Sequence, residues 1–247
     1  MSHLRKTTAL LLAAMFVSAT TQADDYQFEL NLTGDHASID SDGASDLDAI
    51  GVAGTYYFKP VPTDGVPLAE AAFLNKASSL TAAAVRSELG DEKIDIFGAS
   101  FGYYIPNTMF YGRLGYTYAD DFGDGDQSNL NGTFGITPMK GLLVTTDIDE
   151  DGWDPNATAK YVGRIADRNF YAASVSVTDP DEGDLDVGLD FDYFLDPTFS
   201  IGAGFNSGSD AFSVRAEKFF KPNFAVGGRA YVGDDTDGFG ATVSWRF

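Results

Sequence analysis

Charged side chains recur at alternate positions inside runs that are otherwise apolar. From Leu185 to Tyr193, the residues Asp186, Asp190 and Asp192 face away from Leu185, Val187, Leu189, Phe191 and Tyr193. From Phe110 to Tyr118, Arg113 shares a face with Tyr111 and Thr117, opposite Phe110, Leu114, Tyr116 and Tyr118. The same alternation puts Glu29, Asp147, Asp149, Lys160, Arg164, Arg215, Glu217, Arg229 and Arg246 on the polar side of their segments. A period of two is the signature of a strand whose two faces meet different surroundings. If the apolar face meets lipid, charges of both signs line one water-facing cavity. A transverse field there would sort small solutes by charge and dipole. A charge turned to lipid near the bilayer midplane would cost roughly 2–4 kcal/mol, so inward placement is the physical default. The plainer alternative is that these groups simply pair across a narrow, largely filled lumen.

Other chemistry is sparse. Asp147-Ile148-Asp149-Glu150-Asp151-Gly152 matches the first half of a calcium-binding EF-hand loop, but its twelfth position is Thr158 where a bidentate Glu belongs. Asp147, Asp149 and Asp151 are therefore weak Ca²⁺ candidates, and a solvated acidic loop is the stronger reading. Once a leader is removed, His36 is the sole histidine, set among loop carboxylates, and no Gly-x-Ser-x-Gly or phosphate loop occurs. Hydrolytic catalysis has little to stand on, and no cofactor is expected. Cysteine is absent, which removes disulfides and thiolate metal sites.

The segments that must carry these residues are separated by two alternating kinds of connection. One is tight and usually contains proline: Lys59-Pro60, Pro106-Asn107, Pro138-Met139, Asp167-Arg168, Asp196-Pro197 and Lys221-Pro222-Asn223. The other is acidic and glycine-rich: 35–48, 90–93, 120–127, 150–156, 179–184, 207–210 and 233–237. Short turns at one end and polar loops at the other mark an outer-membrane barrel. Aromatic residues precede the prolines, as in Tyr56-Tyr57-Phe58, Tyr103-Tyr104, Tyr193-Phe194 and Phe219-Phe220, and suit an interfacial belt. A soluble β-sandwich does not usually sort its connections in this way.

Counting between these marks predicts a transmembrane antiparallel up-and-down β-barrel of about 14 strands, within a range of 12 to 16. The expected strands are 26–33, 49–58, 77–89, 94–105, 109–118, 128–137, 141–149, 157–165, 169–178, 185–195, 198–206, 211–220, 223–232 and 238–247. An even count places both termini on the periplasmic side. Pro67, Leu68, Glu70, Phe73 and Leu74 belong to a segment, 67–75, that reads as a short helix before strand three.

The front end reads as a cleaved signal peptide over 1–23, with Arg5 and Lys6, an apolar run and a small-x-small site at Thr21-Gln22-Ala23. The barrel domain is then 24–247. Loss of Arg5 and Lys6 moves the formal charge from −21 to −23, which disfavours nucleic acid as a partner. Apolar content is 44%, yet mean hydropathy is slightly negative, as alternating strands require.

The last strand carries a resemblance. Phe239, Ala241, Val243, Trp245 and Phe247 alternate with small or polar residues up to a terminal aromatic. This resembles the closing strand of Gram-negative outer-membrane proteins, in which Phe239, Val243, Trp245 and Phe247 would be read by the barrel assembly machinery. The segment PLAEAAFLN, followed by Lys76-Ala77-Ser78-Ser79, is similar to a signature in a family of proteobacterial porins. The resemblance implies an outer-membrane location, a setting of lipid and lipopolysaccharide, and passive diffusion of small solutes or ions. The alternative is a non-conducting barrel that acts as a receptor or adhesin through acidic loops. No long inward-folded loop of the kind found in trimeric porins is evident, so a monomer is expected; no inserted plug domain is visible, although the 67–75 helix could fold into the periplasmic mouth, and a water-filled lumen is expected.

Overall fold

The computed structural model describes residues 25–39, 46–90, 92–121, 127–149, 156–165, 169–178, 185–234 and 236–247. The leader, the Asp167-Arg168 turn, Asp151 and most of the acidic loops lie outside them. Fourteen strands follow one another: β1 (Asp25–Ile39), β2 (Leu47–Pro62), β3 (Ser79–Leu89), β4 (Glu92–Tyr104), β5 (Phe110–Asp121), β6 (Gln127–Ile136) and β7 (Leu142–Asp149). The remainder are β8 (Asn156–Arg164), β9 (Phe170–Thr178), β10 (Asp186–Asp196), β11 (Phe199–Asn206), β12 (Ala211–Lys221), β13 (Phe224–Val232) and β14 (Thr236–Arg246). Each pairs antiparallel with its sequence neighbours, and β1 pairs with β14, so the sheet closes without an edge.

Closure follows from the pattern. A strand with one lipid face and one polar face has no water with which to satisfy unpaired backbone groups in a bilayer, and only a closed sheet satisfies them all. The terminal strand fulfils this directly, with Leu30 opposite Trp245, Leu32 opposite Val243 and Thr33 opposite Thr242. Gln27 and Phe28 donate backbone N–H groups to the carbonyl of Phe247, which locks the last residue into the seam.

Two expectations need correction. Much of the 35–48 loop is ladder, because β1 and β2 continue pairing to His36–Asp48 and Ala37–Leu47. Alternation persists there, and the His36 to Asp48 side-chain contact of 2.9 Å helps to hold it. Lys59-Pro60 is not a turn either. β2 runs on to Pro62, pairing Val61 with Tyr26. The chain reverses only through 63–78, and that connection does not hug the rim. It folds inward as a 3-10 turn (Leu68–Glu70) and one turn of α-helix, α1 (Ala71–Leu74), where a short helix was expected.

The outer face carries the apolar alternates, among them Leu32, Phe97, Phe101, Leu114, Leu130, Phe134, Phe191 and Ile201, all exposed. Consecutive aromatic residues split between the faces. Tyr56, Tyr103 and Phe220 are exposed outside, whereas Tyr57, Phe194 and Phe219 are buried within. The belt assigned to both members of each pair thus holds only one. A strand's period of two requires that division.

Candidate functional site: the lumen and the segment that crosses it

Cross-strand register places the backbones of all thirteen expected lumen residues on the inner face. On β10 to β14 and β1, two ion pairs are built on a shared device. Asp192 and Arg215 flank Gly202 on the strand between them, and Arg229 and Asp35 flank Gly240. The glycine leaves room for two charged side chains to meet across three strands. A Cβ at Gly202 would collide with the Asp192 carboxylate, and one at Gly240 with that of Asp35. Arg215 grips Asp192 through Nε and Nη2 at 2.7 and 2.8 Å and also donates to Asp190. Arg229 donates to Asp35 from Nε at 2.9 Å and Nη2 at 2.6 Å. The Arg215–Asp192 pair is bidentate, one guanidinium edge on both carboxylate oxygens, which is among the strongest polar contacts available, whereas both Arg229 bonds converge on one Asp35 oxygen.

Arg246 is the most constrained of the set, at 6% exposure. Its Nε donates to Glu29 at 2.6 Å and its Nη1 to the carbonyl of Leu68 at 2.8 Å. Its guanidinium lies 4.5 Å from the Tyr26 ring centroid and 4.6 Å from that of Phe219. An arginine read from sequence as pore lining thus fastens the inward-folded connection to the closing strand. Lys160 and Arg164 do the same from β8. Lys160 Nζ sits 2.9 Å from Glu70 Oε1, and Arg164 Nη2 donates to the Gly65 carbonyl at 2.8 Å.

The connection spans the barrel. Ala71 packs with Tyr26, Tyr57 and Val61 on β1 and β2, with Val66 and Ala72 against them. Phe73 and Leu74 pack against Val162, Phe170, Ala172 and Phe194 on β8 to β10. Leu68 packs with Phe219 and Ala225 on β12 and β13. β1 and β8 stand seven strands apart in a ring of fourteen, so the segment crosses a full diameter. Pro67 is fully buried, and its fixed φ suits the sharp entry into the 3-10 turn. Each large apolar anchor contributes about 1.5–3 kcal/mol by burial. The connection is therefore a plug: the 67–75 helix, which the sequence allowed to fold into a mouth of the barrel, fills the mouth at which Asp25 and Phe247 lie, where a water-filled lumen was expected. The signal in the sequence was the inward member of each aromatic pair, which a belt assignment conceals.

Glu70 is the plug's buried acid. Burial pushes its carboxyl above the ordinary range, an effect that the Lys160 ammonium opposes. Above it lies a cavity of about 260 Å³, bounded by Glu70, Asp192, Arg215, Glu217 and Arg229. Glu217 has no ion pair among the described residues.

The other wall is different. A second cavity of about 230 Å³ is lined by Arg113, Asn129, Asn131, Thr133, Asp147 and Asn156. Arg113 makes no ion pair among the described residues, and Asp147 accepts from Thr133 Oγ1. Asp186 accepts from the Gly208 N–H at 2.9 Å near the far rim. Asp149 pairs with Asn131 by register. Among the described residues no three His, Asp or Glu side chains are grouped to hold a metal ion. His36 stands on the outer face, with its ring 5.4 Å from that of Phe239 and Nδ1 2.9 Å from Asp48 Oδ1.

A closed fourteen-strand antiparallel barrel with a charged interior defines the class of outer-membrane porins and related β-barrels. The family model described as "Putative general bacterial porin" matches residues 1–152, and the chain belongs to that family. Among solved structures, the Acinetobacter baumannii outer membrane protein Omp33 is similar at a TM-score of 0.75 and 26% identity, over 92% of this chain and 100% of that one. The KdgM porin in complex with disordered oligogalacturonate matches at 0.44 and 11%, over 88% and 99%. A mutant Rh. blastica porin matches at 0.45 and 10%, over 89% and 100%. No curated protein matches the chain.

Proposed function

We propose that this porin-family barrel is a gated channel for small solutes or ions, with the inward-folded segment 63–78 as its gate. The observation that carries the reading is the plug itself. One connection out of the barrel wall crosses a full diameter and docks by three separate apolar clusters and by polar contacts that include those of Lys76, Lys160, Arg164 and Arg246. A permanently open porin has no use for such a segment. A permanently filled barrel has no use for the charged cavities that it caps.

In this reading the plugged mouth, at which Asp25 and Phe247 lie, faces the periplasm, and the acidic rim faces outward. The thirteen inner-face residues are the selectivity surface, although Lys160, Arg164 and Arg246 act mainly as fasteners of the gate. Phe239, Val243, Trp245 and Phe247 present the alternation that the assembly machinery would engage. The plug also favours a second reading, a barrel that never conducts and acts through its rim as a receptor or adhesin.

Conductance decides between them. Purified protein in planar bilayers should show a mostly closed state with rare discrete openings. Replacement of 65–76 by a short Asn-Gly turn should raise the open fraction by about tenfold or more, since undocking surrenders several kcal/mol of contacts. No steps from the shortened protein, shown to be folded by heat-modifiable migration, would leave the non-conducting reading standing.

A further inference from the structure

We infer that the channel's solute is a small zwitterion, a short amino acid, and that Arg113 and Asp147 hold its two ends, kept apart for it by Thr133. The inference rests on the channel reading and names the solute at one of the two lumen cavities.

These three residues repeat, with one change, the arrangement that makes the ion pairs of the other wall. Asp192 and Arg215 stand across Gly202, and Asp35 and Arg229 across Gly240, and in both cases the glycine lets the charges meet. Arg113 on β5 and Asp147 on β7 likewise stand across Thr133 on β6. The backbones are two inter-strand steps apart, roughly 9.5 Å, as they are in the closed pairs. Yet these two charges do not meet. Among the described residues Arg113 forms neither an ion pair nor a hydrogen bond, and Asp147 forms no ion pair. The Thr133 side chain occupies the space that a glycine would leave, and its hydroxyl donates to Asp147 Oδ1. A guanidinium and a carboxylate are thereby held on either side of a gap.

What surrounds the gap suits a small polar molecule. The cavity there, of about 230 Å³, is lined between its two charges by Thr133 and three carboxamides. Asn131 leans back over β5, because a Cβ at Gly115, the next inner-face residue after Arg113, would collide with Asn131 Oδ1. Asn131 Nδ2 donates to Asn129 Oδ1 at 3.4 Å, and Asn156 Oδ1 accepts the Asp147 backbone N–H at 2.8 Å. Arg113 offers a carboxylate five N–H donors, and Asp147 Oδ2 takes no hydrogen bond among the described residues, which leaves it for an ammonium. Carboxamides, being both donors and acceptors, complete either end. Thr137, two inner-face steps along β6, accepts from Lys76 Nζ at 2.7 Å. The gap therefore lies just beyond the point at which the gate's end is tied.

A simple ion satisfies only half of this arrangement. An anion at Arg113 leaves Asp147 without a counter-charge, and a cation at Asp147 leaves Arg113 without one. A carboxylate and an ammonium on one short carbon skeleton serve both, each through a charge-assisted hydrogen bond. Such a solute is also neutral overall. The acidic rim of a chain of formal charge −21 does not repel it, as it would an organic anion.

The test titrates the full chain, folded in detergent, with glycine and β-alanine, and with acetate and methylammonium as ligands that carry one of the two charges. Ligand-observed nuclear magnetic resonance reads the binding. The better of the two amino acids should bind about tenfold more tightly than either single-charge ligand, the worth of one further charge-assisted contact. Arg113→Gln and Asp147→Asn should each abolish that advantage. Thr133→Gly should abolish it too, by letting Arg113 and Asp147 close on each other, whereas Thr133→Val keeps the spacer and should keep the advantage. Closure has its own readout. A double-mutant cycle on thermal unfolding should find no coupling between positions 113 and 147 in the native chain, and a measurable one in the Thr133→Gly background. Equal binding of all four ligands, or an advantage that survives Arg113→Gln, would overturn the site. So would a folded Thr133→Gly chain that binds as the native one does. None of these readouts needs the gate to open or current to flow, so failure here and failure of the gated-channel reading are separate results.

Discussion

The two walls of the lumen are built for different tasks. From β8 round to β1, the inner face presents Lys160, Arg164, Asp190, Asp192, Arg215, Arg229, Arg246, Asp35 and Glu29, nearly all engaged with one another or with the plug. From β3 to β7, it presents Thr81, Ser100, Asn129, Asn131 and Thr133, with Arg113 free of ion pairs among the described residues. The Lys76 contact to Thr137 Oγ1, at 2.7 Å, and the Ser78 Oγ contact to the Tyr104 N–H, at 2.9 Å, tie the plug's end to that side. Charge density thus marks where the barrel is fastened. Its absence marks where a solute would meet unoccupied polar groups.

Removing a fastener should therefore cost most. Arg246→Met leaves Glu29 with its Asn31 hydrogen bond but no ion-pair partner, and the Leu68 carbonyl without its guanidinium donor, both largely buried. Breaking such a pair from one side costs about 3–5 kcal/mol. The urea midpoint of the detergent-folded barrel should fall accordingly, and the plug should open more often in bilayers. An equally large loss from Arg113→Gln would erase the distinction between the walls.

The glycine device gives the next step down. Gly202→Ala drives a methyl group into the Asp192 carboxylate and should cost about 1–3 kcal/mol through the lost Arg215 pair. Gly98 is its control on the neutral wall, because a Cβ there meets only the Tyr116 carbonyl at an ordinary 3.8 Å. Gly98→Ala should be neutral or slightly stabilising, since a strand gains by losing a glycine. Thermal unfolding of the two variants measures the contrast directly.

Acid should tighten the plug, although its one buried carboxylate is salt-bridged. Glu70 is raised by burial when docked, with Lys160 and Arg215 lowering it and Asp192 raising it further. The docked state therefore binds a proton more readily than the undocked, solvated one. By linkage, docking strengthens as pH falls through the raised value and levels off below the ordinary carboxylate range. Open probability should drop on going from pH 7.5 towards 5, and Glu70→Gln should flatten that profile. A channel that opened with acid in the same window would show that the Lys160 pair, not burial, governs Glu70.

How much of this could be read from residues alone divides along the same line. Strand number, closure and face all follow from period-two alternation, which survives in every strand because lipid enforces it. β1 and β2 ran longer than expected because Gly34, Asp35 and His36 have poor strand propensity yet keep the alternation. The short helix at 67–75 was legible from its Ala, Leu and Glu, and a fold into the barrel mouth was open to it, but its seat was not. Only the barrel shows that Tyr57, Phe194 and Phe219 turn inward as its seat. The charged pairs were invisible for a related reason. Asp192 with Arg215, and Asp35 with Arg229, join strands that are not sequence neighbours, across a glycine whose own position carries no charge signal.

Arg113 offers the finest test of the comparison. It shares a cavity of about 230 Å³ with three asparagines, Thr133 and Asp147, and forms no ion pair among the described residues. If solute passes this wall once the plug moves, Arg113→Gln removes one positive charge from the path and should shift the zero-current potential in a salt gradient towards cations. The shift should be small, because one charge in a water-filled lumen is screened within about 10 Å at 0.1 M salt. Arg229→Gln should move it less, since losing the arginine also frees Asp35 beside it and any change will be tangled with lost stability. Dilute salt should enlarge the Arg113 effect. A shift at Arg229 that exceeded that at Arg113, with unchanged unfolding, would place the permeation path along the fastened wall instead.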